Sequence, residues 1–126
     1  MLDHVSVAVR DLASSAVAYE KVLGVLGQKR LVERPATVGF GKQYPEFWLN
    51  ARPGVTPLPA ETGFHICLRA RDEAVVRAFH AAALAAGWTD AGAPGPRRGE
   101  MTAYYGAFVQ DPDGNKLEAA TFPRQP

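Results

Sequence analysis

The chain has a single cysteine, Cys67, among its 126 residues. No internal disulfide can form, which fits a reducing compartment, and Cys67 sits in an apolar stretch where it reads as a small core residue. Long apolar runs are missing too. No segment approaches the roughly 20 residues that a membrane-spanning helix needs. Nor is there a block of one charge sign: 14 Lys and Arg against 13 Asp and Glu leave a formal charge of +1. That balance gives no reason to expect nucleic acid or an anionic membrane surface as partner. Apolar patterning begins at residue 2, which leaves no room for a signal peptide, so we expect a cytoplasmic protein. Histidine is scarce, with three in the chain. Apolar content of 47% and charged content of 21% suit one soluble domain large enough for a real core.

What is present is organised twice over. Leu2 to Val9 alternates, with Leu2, His4, Ser6 and Ala8 on one face and Asp3, Val5, Val7 and Val9 on the other. The branched face should pack on a helix and leave His4 opposite. Asp11 is placed to cap that helix, whose stripe is Leu12, Ala16, Tyr19 and Leu23, ending at Gly24. Residues 28–34, 37–41 and 46–50 read as strands, the last with Phe47 and Leu49 inward and Glu46, Trp48 and Asn50 outward. Residues 51–62 hold three prolines and no period, which marks a linker. Then the pattern restarts. Phe64, Ile66 and Leu68 form an apolar face against His65, Cys67 and Arg69, and Asp72 caps a helix with Val75, Phe79, Ala82 and Ala86 that stops at Gly87. His4, Arg10 and Asp11 recur as His65, Arg71 and Asp72, each 61 residues on. A repeat on this scale implies two copies of one unit. Module one takes residues 1–50 and module two residues 63–122, each reading βαβββ within a single 126-residue domain of α+β class. The Gly92–Gly99 stretch reads as a loop, with strands following over 101–110 and 116–121.

Between those last strands, Asp111-Pro-Asp-Gly-Asn115 is a tight turn, since Pro112 presets φ and Gly114 tolerates positive φ. Glu118 follows on an apolar strand, where a carboxylate needs a partner. If Leu117 and Ala119 pack inward, Glu118 shares a surface with His4 and His65. Two imidazoles and a carboxylate suit a first-row divalent ion (Fe, Mn, Zn, Ni or Co) with positions left for water and substrate. Trp48 and Glu46 lie on the same side and can line a substrate pocket. Of Tyr104 and Tyr105, one should face it as a phenol able to donate to a bound oxygen. Arg97 and Arg98 offer recognition of an anionic substrate. His80, on the second helix, should sit at the surface.

Three stretches carry a family resemblance over nearly the whole chain. They are His4-Val-Ser-Val-Ala-Val-Arg-Asp-Leu12 with Tyr19 and Val22-Leu-Gly24; Gly63-Phe-His-Ile66; and Ala107-Phe-Val-Gln-Asp-Pro-Asp-Gly-Asn-Lys-Leu-Glu118. Together they resemble the vicinal oxygen chelate superfamily of glyoxalase I, fosfomycin-resistance thiol transferases, bleomycin-resistance proteins and extradiol dioxygenases. The resemblance implies paired βαβββ modules curled around a metal site, commonly in a homodimer, with His4, His65 and Glu118 as ligands. It also implies a departure. The fourth ligand and base of glyoxalase I falls nearest Trp48, which can neither ligate nor take a proton, with Glu46 two residues earlier. Two functions are therefore expected to compete. One is a small metal-dependent enzyme (lyase, isomerase, thiol transferase or dioxygenase in type) acting on an oxygen-chelating small molecule. The other is a metal-independent drug-sequestering protein whose pocket is built from Trp48, Tyr104, Tyr105 and Phe40. The open edges of βαβββ sheets favour a homodimer in either case.

Overall fold

Alternation along the strands decides which side of each sheet receives a helix. In the computed structural model, which describes residues 1–99 and 101–123, the first half runs β1 (Val5–Val9), α1 (Leu12–Val25), β2 (Lys29–Glu33), β3 (Thr37–Gly41) and β4 (Phe47–Ala51). The second half repeats the order as β5 (Ile66–Arg69), α2 (Glu73–Ala85), β6 (Thr89–Arg98), β7 (Ala103–Gln110) and β8 (Lys116–Thr121). Each half forms one four-stranded mixed sheet, in the orders β1-β4-β3-β2 and β5-β8-β7-β6. In both, the first strand pairs in parallel with the last and the other pairs are antiparallel. The parallel pair needs a crossover, and the helix supplies it.

Val7, Val9, Val38, Phe40, Phe47 and Leu49 are buried beneath α1, whose Tyr19, Val22 and Leu23 are fully covered. Fully burying a side chain of this size contributes about 1.5–3 kcal/mol, so one strand face suffices to hold each helix. The two helices also pack on each other, and one apolar cluster therefore runs through both halves. The caps are local. Asp11 Oδ1 accepts from the Ser14 amide at 3.2 Å, and Asp72 Oδ1 accepts from Val75 at 2.9 Å. The opposite faces of the two sheets carry no helix.

Several expectations need correction. β1 starts at Val5, leaving His4 just ahead of it. Helix α1 runs through Gly24 and stops where Gly27 turns to φ +86°, so Gly27 is the terminator. The expected loop at 92–99 is a strand. Its prolines, Pro94 and Pro96, sit on the sheet's edge, where a missing N–H is tolerated, and register shifts around Gly92 absorb the irregularity. His80 is buried, because the arc of α2 turned inward is Val76, Phe79, His80 and Ala83. Its Nε2 lies 2.9 Å from Asp90 Oδ1. Cys67 and Phe64 are exposed rather than core. Cys67 lies on the uncovered face of edge strand β5, and Phe64 precedes that strand.

The turn between β7 and β8 does more than reverse the chain. Asp111 is buried and accepts four hydrogen bonds: the Tyr19 hydroxyl at 2.7 Å, the Asn115 side-chain amide at 2.8 Å, and the Asp113 and Asn115 backbone amides at 2.9 and 2.8 Å. Asn115 also donates to the Ala8 carbonyl at 2.9 Å, while Asp113 receives the Arg10 amide and guanidinium at 3.0 and 2.7 Å. Tyr19, Ala8 and Arg10 all belong to the first half. The turn thus clamps one half to the other.

Candidate metal centre

The parity of β8 places the carboxylate. Leu117 and Ala119 are fully buried beneath the helix, which sends Glu118 to the uncovered face. There it pairs in register with Phe108 on β7 and Cys67 on β5. A side chain at Gly106 would put its Cβ 3.1 Å from Glu118 Oε2 and 2.9 Å from the Tyr104 ring. The glycine is what leaves room for both. Glu118 is only 3% exposed, and its Oε1 lies 3.1 Å from His65 Nε2. Its Oε2 is buried and receives no hydrogen bond of full geometry among the described residues, although the Tyr104 hydroxyl and the Cys67 thiol both approach the carboxylate as donors. A carboxylate oxygen left in this way is costly in a folded protein. An imidazole and a carboxylate oxygen meeting at one point are donors a first-row divalent cation takes, so the residues present fit such an ion.

The surroundings are aromatic and cationic. Tyr104 stacks on Phe122 with ring centroids 5.0 Å apart, and Arg69 lies over Phe122 at 5.6 Å. Burial and then the Glu118 carboxylate push the Tyr104 phenol up to about 12. The same two causes push the Cys67 thiol up to about 12, so exposure does not make it a thiolate at neutral pH. A cavity of about 270 Å³ opens beside these groups, with Cys67, Met101, Tyr104, Glu118 and Phe122 in its wall. On the other flank, the Phe108 ring meets His65 edge-on at 5.2 Å and carries two cations, Arg97 at 5.2 Å and Lys116 at 5.1 Å.

Not every expected site residue gathers here. His4 is exposed and its Nδ1 bonds to Asp3 at 2.7 Å. Among the described residues no three His, Cys, Asp or Glu side chains converge to hold a metal. Trp48 lies on the first sheet, packed over Gly39 with Arg34 5.9 Å from its ring, and Glu46 is half-buried just before β4. Tyr105 points to the helix side, where Arg77 approaches its hydroxyl at 3.4 Å, whereas Tyr104 faces Glu118. Arg98 is exposed at the end of β6. Arg97 is the arginine held against the site. Phe108 and Gly106 were missed in the sequence, although a glycine two residues before a phenylalanine in a β-pattern signals close approach by a neighbour.

Comparison with known proteins agrees with this architecture. Residues 1–119 match the model of the Glyoxalase/Bleomycin resistance protein/Dioxygenase superfamily. The structure is similar to a glyoxalase/bleomycin resistance protein from Albidiferax ferrireducens T118, at 32% identity and TM-score 0.86, covering 97% of this chain and 99% of that one. It shares its fold with a glyoxalase-related enzyme from Fulvimarina pelagi (18% identity, TM-score 0.74, covering 100% and 91%). The same holds for the fosfomycin resistance protein FosX from Mesorhizobium loti (18% identity, TM-score 0.69, covering 98% and 92%). No curated protein sequence matches significantly. With its motifs, its paired βαβββ sheets and these matches in agreement, the chain belongs to the glyoxalase/bleomycin resistance protein/dioxygenase superfamily.

Proposed function

We propose that the protein is a divalent-metal enzyme acting on a small oxygen-chelating substrate, assembled as a homodimer in which His65 and Glu118 of one chain are completed by His4 of a second copy. The observation that carries this reading is Glu118 Oε2, buried without a hydrogen bond of full geometry beside an imidazole. A bound divalent ion supplies Lewis-acid polarisation of substrate oxygens. The chain's own groups do the rest. Tyr104 presents a protonated phenol toward the carboxylate and can donate to a substrate oxygen. The Tyr104–Phe122 stack gives the substrate's apolar part a wall, and in the dimer the half-buried Trp48 and Glu46 of the second copy, at the sheet that follows its His4, would line the opposite side. The dimer is supported by the separation of His4 from the other two residues and by exposed Leu2 and Phe64, 82% and 61% accessible, flanking the histidine positions. Large exposed apolar side chains at such places favour burial against another surface.

A second reading keeps the pocket and drops the metal. Exposed Met101 and Phe122 beside the stacked Tyr104 would suit sequestration of a flat aromatic compound. Elemental analysis of purified and reconstituted protein separates the two. Near-stoichiometric metal in the wild type, lost in Glu118→Ala and in His4→Ala, supports the enzyme. Mixing those two variants should then restore part of the metal, because a mixed dimer has one intact shared site. Absence of metal after reconstitution with Fe, Mn, Zn, Ni and Co would sink it in favour of the sequestering protein.

A further inference from the structure

We propose that Arg97 is an anion-recognising residue on the Phe108 flank of this site, receiving a carboxylate or phospho oxyanion of the ligand beside the His65–Glu118 pair. The inference rests on the placement of the binding site above and not on which reaction occurs there. Arg97 pairs in register with Tyr104 across β6 and β7, which puts its side chain on the Glu118 face. Its guanidinium is fixed. Nε donates to the Gly106 carbonyl at 3.1 Å, Nη2 donates to the Ala93 carbonyl at 2.6 Å, and the group lies over Phe108. All of these contacts are neutral. Among the described residues Arg97 has no carboxylate within ion-pair distance, and Nη1 makes no hydrogen bond.

A strap between two carbonyls would explain Nε and Nη2 but has no need of a charge. What it leaves over is a half-buried cation, pre-oriented, with an unused amino group beside the ring that touches His65. Lys116 adds a second positive charge over the same ring, partly answered by the exposed Glu61 at 3.5 Å. In formal charge Glu118 and Glu61 offset Arg97 and Lys116, so what marks this place is the oriented, unused Nη1 and not a net positive charge. Arginine held in this way suits a planar or tetrahedral oxyanion better than lysine does, because its fork is already oriented. Arg98, one residue on, is exposed and pairs with Ala103 on the opposite parity, so of these two arginines it is Arg97 that has this geometry.

The test titrates metal-free and zinc-reconstituted protein with malonate and with methylphosphonate at constant ionic strength, using calorimetry and the arginine Nε–H resonances. Saturable binding is expected, with the Arg97 resonance moving and that of Arg98 still. Arg97→Met should weaken binding roughly tenfold or more, as loss of a charge-assisted hydrogen bond implies; Lys116→Met should weaken it less. The tighter of the two probes identifies the oxyanion class. Equal affinity in wild type and Arg97→Met, equal movement of all surface arginines, or no saturable binding of either probe would each overturn the proposal. The resonance comparison within the wild type decides the matter even where a variant does not fold. Failure to bind metal, with the Arg97 response intact, would count against the enzyme reading alone.

Discussion

Replacing Tyr19 by phenylalanine removes one hydroxyl from the middle of the protein and leaves everything else in place. The ring keeps its packing against Trp88 and Phe47, at centroid distances of 4.6 and 5.4 Å. What disappears is the 2.7 Å hydrogen bond to Asp111, a buried carboxylate. A hydrogen bond to a charged acceptor contributes about 1.5–3 kcal/mol net. Unfolding entropy of about 2.1 cal/mol/K per residue over this chain's 126 residues converts that loss into a fall in Tm of roughly 6–11 °C. Calorimetry and urea titration of both proteins would measure it. The pH dependence adds a check with a definite sign. Burial holds the Asp111 carboxyl above its usual range despite the donors around it. Removing a donor raises it further, so the variant's folded state gains protons earlier on acidification. The stability gap between the proteins should therefore narrow as pH falls through the carboxylate range. A loss of only a few tenths of a kcal/mol, or a gap that widens in acid, would refute the view that this bond clamps the two halves.

Gly114→Ala forces a side chain into a residue at φ +86° and against the Leu58 backbone, so stability should drop by at least about 1 kcal/mol in urea. Gly106→Ala should leave the fold cooperative but weaken metal binding, measured by cobalt titration, since its Cβ crowds Glu118 Oε2; unchanged affinity would mean the carboxylate is not confined. Cys67 in metal-free protein should react slowly with a disulfide reagent at pH 7.5 and keep accelerating well above pH 9, because its thiol is pushed up to about 12; the rate of an ordinary exposed thiol would contradict that. His80 and the Gly92 amide hold the Asp90 carboxyl below its usual value. Their contribution is present at neutral pH and lost as pH falls through that lowered pKa, so Asp90→Asn should flatten the acid limb of a Tm-against-pH curve.

Reading the fold from the sequence worked where chemistry is local. Asp11 and Asp72 cap their helices as their spacing from the apolar stripes implied, and the alternation around Leu117 and Ala119 turned Glu118 to the open face. It failed where the deciding contact is distant. Pro94 and Pro96 argue against a strand until one knows that β6 is an edge. His80 looked like a surface residue because its partner, Asp90, lies on another element. Arg97 and Arg98 are indistinguishable as letters, and only cross-strand register turns one of them toward Phe108. The Asp111–Asn115 turn was legible as a turn, yet nothing adjacent to it announces that its carboxylates reach Tyr19 and Arg10.

That clamp makes the two copies of the repeat unequal. The corresponding reversal in the first half, Gly41-Lys-Gln-Tyr-Pro-Glu46 between β3 and β4, carries no aspartate to reach across. A circular permutant that joins the present ends and opens the chain within residues 52–57 would preserve every bond of the clamp, since Ala8, Arg10, Tyr19 and the turn keep their strands and helix. A chimera carrying two first halves would lose them all. The first rearrangement should fold. The second should hold its halves by helix packing and apolar contact alone and be the less stable of the two, although both keep the same succession of strands and helix.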